Sequence, residues 1–326
     1  MISMSRNKIS VVVPCFDEQA VIGETHRCLI EVLNGQKDFA WEIIYVDDGS
    51  SDNTWSILSS LAKSHNEVSA IKLSRNFGHQ MASMAGLESA TGDAVVLIDA
   101  DLQDPPSLIP EFYQKWVDGN EVVYGKRKKR NGESLFKRLT ASLFYRLLNR
   151  VSEVEIPLDT GDFRLMDRKV VDHIVAMPER ARFLRGMVAW VGFRQCAVEY
   201  DRDERYAGVS KYPLRKMLKF AADGILSFSA LPLKLATFTG LVTFGLSLVG
   251  FVYAIWLRLL TDNWVSGWTA LFVTVLFFGG LQLLTLGLIG EYLARIYTES
   301  KRRPLYIIDE VCVSSSCDGD SDNKVK

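Results

Sequence analysis

The residues best suited to chemistry lie in the stretch Val95-Val-Leu-Ile-Asp-Ala-Asp-Leu-Gln-Asp-Pro-Pro106. Asp99 and Asp101 are two apart, so on extended chain both project to one face. There they can share a divalent cation, or divide a cation and a ribose between them, and an oxygen-only donor set points to magnesium or manganese. An isolated Asp-x-Asp matches by chance, and by itself this one reads more readily as a strand followed by an Asp-rich turn. Its meaning depends on what else converges on it.

Three further clusters follow apolar runs in the same way. Residues 9–13 lead through Pro14 into Asp17-Glu18, residues 41–46 lead into Asp47-Asp-Gly-Ser-Ser-Asp-Asn-Thr54, and residues 68–73 lead into Ser74-Arg75-Asn76 with Gly78 and His79 beyond. Each run has the length and β-branched content of a buried strand. The polar–apolar patterns over 20–33, from Asp52 to about residue 62, and ending near Thr91-Gly92 suit helices between them. Strands alternating with helices imply an α/β fold with a mostly parallel sheet. In such a sheet ligands bind beyond the carboxyl ends of the strands. Asp17, Asp47, Arg75 and Asp99 would then line one crevice, suited to a nucleotide whose base and ribose meet carboxylates and whose diphosphate meets a metal.

Other signatures are missing. No G-x-G-x-x-G follows a strand, and residues 119–126 fail the spacing of a phosphate-binding loop. The histidines His26, His65, His79 and His173 have neither metal spacing nor a nucleophile partner, and a local structural role accounts for His79 at least as well as a chemical one. Cys15, Cys28, Cys196, Cys312 and Cys317 are odd in number and unpaired in spacing, so no disulfide framework is expected and a reducing compartment is. The only apolar run near the N-terminus is too short for a signal peptide.

Asp17-Glu18, the 47–54 segment, Arg75-Asn76 with Gly78, Asp99-Ala-Asp101 with Gln103-Asp104, and Gly161-Asp-Phe-Arg-Leu165 occur in the order and type seen in family-two glycosyltransferases. From about residue 8 to 308 the chain resembles the polyprenyl-phosphate glycosyltransferases, the group of bactoprenol glucosyltransferases and dolichol-phosphate mannose synthases. The resemblance implies an A-type, Rossmann-like catalytic domain. It implies that Asp99, Asp101 and Gln103 hold the Mg2+ or Mn2+ on a donor diphosphate. Pro14, Asp17, Glu18, Asp48, Arg75 and Asp99 would hold the nucleotide sugar. Asp162 would be the carboxylate at the reacting centre, as proton acceptor or positioning group, with Asp101 and Arg164 beside it and Asp159 as a weaker candidate. Arg205, Ser210 and Lys211 would grip the acceptor phosphate. A Gln-x-x-Arg-Trp motif of processive members is absent, which favours transfer of one sugar.

The remaining chain is read as membrane sequence. Nine of residues 126–150 are Lys or Arg against one acid, with leucines interleaved at helical spacing over 134–150; a basic amphipathic helix of this kind suits a lipid surface better than nucleic acid. A second such helix is expected over 213–228. Residues 235–257 and 263–290 carry no charge, and each exceeds the roughly 20 residues that span a bilayer. Basic residues flank both runs on the outside, so both termini face the cytoplasm.

The expected organisation is a catalytic domain over 1–230, a two-helix transmembrane domain over 231–296, and a cytoplasmic tail over 297–326 that is disordered after about 310. The expected activity is inverting transfer of glucose from UDP-glucose to an undecaprenyl-type phosphate, with GDP-mannose or a UDP-aminosugar as alternative donors. A homo-oligomer, a tetramer by resemblance, and a flippase partner complete the expectation, with no nucleic acid. A catalytically idle scaffold that binds nucleotide sugar is opposed by the intact Asp99, Asp101, Asp162 and Arg164.

Overall fold

A computed structural model of the chain describes residues 6–127, 160–180, 182–201, 231–260, 268–313 and 316–318. The expected interface helices over 134–150 and 213–228, together with Asp159, Arg205, Ser210 and Lys211, lie outside these residues. The chain forms two units. One comprises Met1–Tyr145, Val154–Tyr212 and Arg303–Lys326, and the other Arg146–Glu153 and Pro213–Arg302.

In the first unit, the runs predicted as strands are β1 (Lys8–Cys15), β2 (Ala40–Asp47), β3 (Val68–Leu73) and β4 (Ala94–Leu97), separated by helices α1 (Ile22–Asn34), α2 (Thr54–Ser64) and α3 (His79–Ser89). They are followed by α4 (Ile109–Val117), β5 (Val122–Arg127), β6 (Thr160–Asp167), α5 (Arg168–Ala176), α6 (Leu184–Trp190) and β7 (Gln195–Tyr200). After the second unit come β8 (Ile308–Val313) and β9 (Ser316–Asp318). Among the described residues the strands form one sheet in the order β7-β5-β6-β4-β1-β2-β3-β8-β9. The centre, β4-β1-β2-β3, is parallel as expected. β6 runs antiparallel between β4 and β5, and β8 is antiparallel to β3.

Both faces of the centre are covered, which is why its strands read as continuous apolar runs. Ile9, Val11 and Val13 pack on one face with Leu29 and Leu33 of α1, Leu58 of α2 and Phe112 of α4. Val12 points the other way, among Ala82 and Ala85 of α3 and Val170 of α5. α3 lies so close to β1 that a Cβ on Gly86 would sit 2.2 Å from Val12 Cγ1, so this contact admits only glycine.

Within the tail expected to be disordered after about 310, residues 308–313 and 316–318 form strands. Residues 308–313, Ile-Asp-Glu-Val-Cys-Val, pair with the otherwise open edge of β3. Trp55 Nε1 donates to Glu310 Oε2 at 3.1 Å, and Cys312 is fully buried. Cys312 is also disulfide-bonded, contrary to the reading of unpaired cysteines.

The second unit contains helices α7 (Leu231–Leu260) and α8 (Trp268–Ser300). Large apolar side chains such as Phe238, Leu246, Val249, Leu271, Leu283 and Leu293 are exposed along both. Among the described residues one stretch, Phe277–Ser300, is long and apolar enough to cross a membrane.

His26 on α1 provides a test of the first unit's stability. Its Nδ1 meets Tyr45 Oη at 3.0 Å, and its Nε2 is buried without a hydrogen-bond partner. Burial, reinforced by the nearby His65, lowers its pKa to about 4. The unfolded chain protonates near pH 6.5, so acidification favours unfolding through the window from about 6.5 down to about 4. By linkage one proton contributes a slope of at most about 1.4 kcal/mol per pH unit. The thermal midpoint of the wild type should therefore fall more between pH 7.5 and pH 5 than that of His26→Gln. Parallel pH dependences would show that His26 is not the group responsible.

Candidate active site

The carboxyl ends of the parallel strands are knitted together by side chains on neighbouring loops. After β1, Asp17 adopts a left-handed conformation, with φ 54°, and its N–H donates to Ser50 Oγ at 2.9 Å. Its carboxylate accepts the Ser51 N–H at 2.9 Å and the Ser51 hydroxyl at 3.1 Å. Pro14 stands in register with Val46, and the Glu18 N–H donates to Thr54 Oγ1 at 2.9 Å.

After β2, Asp48 is buried, and both of its oxygens accept backbone amides, from Phe77 at 2.8 Å and Gly78 at 2.9 Å. Burial pushes Asp47 and Asp48 above the usual carboxylate range, partly offset by these and similar hydrogen bonds. Gly49 has φ 68°, and a Cβ there would lie 2.4 Å from the Arg75 carbonyl carbon; the turn needs glycine on both counts. Arg75 is exposed, with its guanidinium 4.0 Å from the centre of the Phe77 ring.

Beyond β4, Asp99 opens to the crevice while Asp101 is buried and accepts the Gln103 N–H at 3.2 Å. The tight turn between them and Asp104 passes through Leu102 at φ 57°. Tyr200 of β7 donates to Asp104 Oδ1. β6 supplies Asp162 and Arg164, two apart and therefore on one face, with Phe163 turned into the opposite core. Both are buried.

Asp162 is the hub of this part of the site. Its Oδ1 accepts Arg185 Nε at 2.7 Å and lies 3.9 Å from Arg164 Nη2; its Oδ2 accepts Gln80 Nε2 at 3.3 Å and lies 3.6 Å from His79 Nε2. Arg164 also donates to the carbonyls of Gly161, at 3.0 Å, and Asp162, at 3.3 Å. Burial alone would raise the Asp162 pKa, but the charge of Arg185, the hydrogen bonds from His79 and Arg185 and the charge of Arg164 outweigh it and hold the carboxyl well below its usual range. Burial pulls Arg164 down to about 10, which still leaves it charged at neutral pH.

His79 Nε2 is also 3.3 Å from Asp99 Oδ1. Enclosure works against its charge, but the hydrogen bond to Asp162 and the charges of Asp99 and Asp162 prevail and raise its pKa to about 9. Asp99 is raised to about 6, by burial first and then by the neighbouring Asp162, Asp104 and Asp101, against the pull of His79.

The residues present fit a hard cation. Asp99 Oδ1 is a buried carboxylate oxygen without a hydrogen bond, and its raised pKa marks a site where negative charge exceeds its compensation. Asp101 adds a second carboxylate two residues on. Among the described residues no three His, Cys, Asp or Glu groups form a ready-made metal cluster. Two carboxylates completed by water and substrate phosphate is the usual arrangement for Mg2+.

The structure thus brings together the predicted Asp99, Asp101, Gln103, Asp162 and Arg164, and it gathers Pro14, Asp17, Glu18, Asp48 and Arg75 on the adjoining strand ends. The sequence leaves His79 open between a structural and a chemical role; its place directly after Gly78 at the start of α3 brings it to both Asp99 and Asp162. Two participants were missed. Gln80 and Arg185 are polar residues without spacing to any motif, and only the fold brings them to Asp162.

A sheet with this crevice and these carboxylates matches a known class. Residues 10–175 match glycosyl transferase family 2, and the chain belongs to that family. It is therefore a glycosyltransferase. It is 51% identical over 308 residues to the uncharacterized glycosyltransferase YkcC of Bacillus subtilis, covering 94% of this chain and 95% of that one. It is 44% identical over 304 residues to the bactoprenol glucosyl transferase of Shigella phage SfV, covering 92% of this chain and 98% of the relative. Among solved structures it is similar to the glucosyl-3-phosphoglycerate synthase of Mycobacterium tuberculosis, at 20% identity and TM-score 0.46, over 68% of this chain and 76% of that one.

Proposed function

We propose that this protein transfers one glucose from UDP-glucose to the phosphate of a polyprenyl, undecaprenyl-type lipid, with inversion at the anomeric carbon. The observation that carries the reading is the 44% identity to a bactoprenol glucosyl transferase over nearly the whole of both chains.

In this reading Pro14, Asp17, Glu18, Asp48, Arg75 and Asp99 line the nucleotide-sugar site, and Asp48 also braces the loop that carries Arg75. Asp99, Asp101 and Gln103 would hold Mg2+ or Mn2+, which when bound offsets the charge that builds on the departing diphosphate. A phosphate monoester has its second pKa near ~6, so the acceptor is already largely dianionic and attacks without a strong base. Asp162, with Arg164 beside it, stands at the reacting centre. Arg205, Ser210 and Lys211 hold the acceptor phosphate. Attack on the face opposite the leaving group gives a β-linked product from an α-linked donor.

The same reading assigns residues 1–230 to catalysis and residues 231–296 to two membrane spans, with both termini cytoplasmic and interface helices over 134–150 and 213–228. Exposed apolar side chains along both long helices and the basic flanking residues support a multi-pass anchor. A homo-oligomer, a tetramer by resemblance, would hand its product to a flippase. The test is to incubate the purified full-length protein with polyprenyl phosphate and, separately, labelled UDP-glucose, GDP-mannose and a UDP-aminosugar. Lipid-extractable label is expected from UDP-glucose. Label from GDP-mannose instead would make this a mannosyltransferase, and label from none would favour an idle scaffold.

A further inference from the structure

We infer that Gln80 is a positioning residue of the transfer reaction, acting through Asp162: its side-chain amide fixes that carboxylate against the start of helix α6. The inference rests on the reading of Asp162 as the carboxylate at the reacting centre.

The hydrogen bonds determine which way the amide points. The Leu184 backbone N–H can only donate, and its partner, 3.1 Å away, is Gln80 Oε1. That leaves the Gln80 Nε2 donor facing Asp162 Oδ2 at 3.3 Å, where an ionised carboxylate can only accept. One amide therefore joins three elements: α3, on which Gln80 is the second residue, β6, which carries Asp162, and α6, which begins at Leu184. The next residue of α6, Arg185, places its Nε on the other Asp162 oxygen at 2.7 Å. Asp162 is thus gripped on both oxygens by donors whose relative positions Gln80 sets.

The grip extends to the donor side of the crevice. Asp48 accepts the N–H groups of Phe77 and Gly78, and Gly78, at φ 102°, launches α3 directly ahead of His79 and Gln80. Placement of the loop bearing Arg75 and placement of Asp162 are therefore linked through the first residues of one helix. A side chain held this way contributes through geometry, and small displacements at a reacting centre cost large factors in rate.

A purely structural role, capping the start of α6, makes the opposite prediction for one substitution, which is what makes the inference testable. Gln80→Glu keeps an oxygen for the Leu184 N–H but replaces the donor to Asp162 with a like charge. Gln80→Ala removes both contacts without adding repulsion. If Gln80 positions Asp162, kcat should fall about tenfold in Gln80→Ala and about a hundredfold or more in Gln80→Glu, with the Michaelis constant for UDP-glucose little changed in either. In the Asp162→Asn background the Gln80→Glu change should cost less than about threefold further, because its effect passes through the missing carboxylate.

All variants are measured as full-length protein with their thermal midpoints. Gln80→Glu close to wild type with Gln80→Ala impaired would overturn the inference in favour of a capping role. Additive losses in the double variant would overturn it as well. If Asp162→Asn alone retains wild-type turnover, it is the assignment of Asp162 that fails, and the order of the two Gln80 variants then has nothing to act through.

Discussion

Asp99→Ala and Asp101→Ala should each lower kcat/KM by about a thousandfold or more, and chelation should do the same to the wild type, reversibly on adding Mg2+ or Mn2+. The two variants should differ in stability. Asp99 touches His79 but has a buried oxygen without a hydrogen bond, and its pKa is raised to about 6. An acid whose folded pKa exceeds its unfolded value loses stability as pH rises from about 3.8 to about 6, and above that window it carries the full penalty. At pH 7.5 without metal, Asp99→Ala should therefore be at least as heat-stable as the wild type while inactive. Asp101 instead fastens its loop through the Gln103 N–H, so its loss should lower the thermal midpoint as well as the activity. A residue that destabilises the fold yet is indispensable to turnover is the pattern of a site shaped for its ligand. Full activity in excess EDTA, or an Asp99→Ala variant that is active, would end the metal assignment.

The contrast between Asp99 and Arg185 shows what a sequence alone can reveal here. The parallel centre was legible because its signals are local: an apolar run buried on both faces, a turn residue, then a carboxylate, repeated along β1, β2 and β4. Asp48 was recognised as important, yet its work was not, since nothing in the 47–54 segment says that both its oxygens are spent on the amides of residues 77 and 78. Asp162 came from family resemblance. Its partners could not be read at all, because Gln80 lies 82 residues away and Arg185 lies 23 away, and both contacts exist only once β6 has inserted antiparallel beside β4. The tail strand was hidden by composition. Its Ser- and Asp-rich surroundings masked a short apolar run, Val311-Cys312-Val313, that needed the free edge of β3 to become part of a strand.

Asp162→Asn should lower kcat by about a hundredfold to a thousandfold while the dissociation constant for UDP-glucose changes less than about threefold. The substitution preserves the shape of the side chain, so Arg185 Nε, now 2.7 Å from Oδ1, keeps an acceptor. What is lost is the charge that orients Arg185, His79 and Arg164 around the reacting centre. The size of the effect follows from how that charge is held. With three cations about it, Asp162 stays ionised far below neutral pH, and a carboxylate so weakly basic is a poor proton acceptor. The attacking phosphate needs none, since its own second ionisation near ~6 supplies the nucleophile. Turnover of the wild type should accordingly decline on the acid side with the ionisation of the acceptor phosphate, and Asp162→Asn should be slower at every pH without moving that limb. A base would behave differently: its removal would abolish the acid limb and leave a rate that rises with added hydroxide. Calorimetry with UDP-glucose completes the comparison. If donor binding is lost in proportion to rate, Asp162 belongs to the donor site, and the charge it holds beside Arg185 and Arg164 serves the nucleotide rather than the transfer.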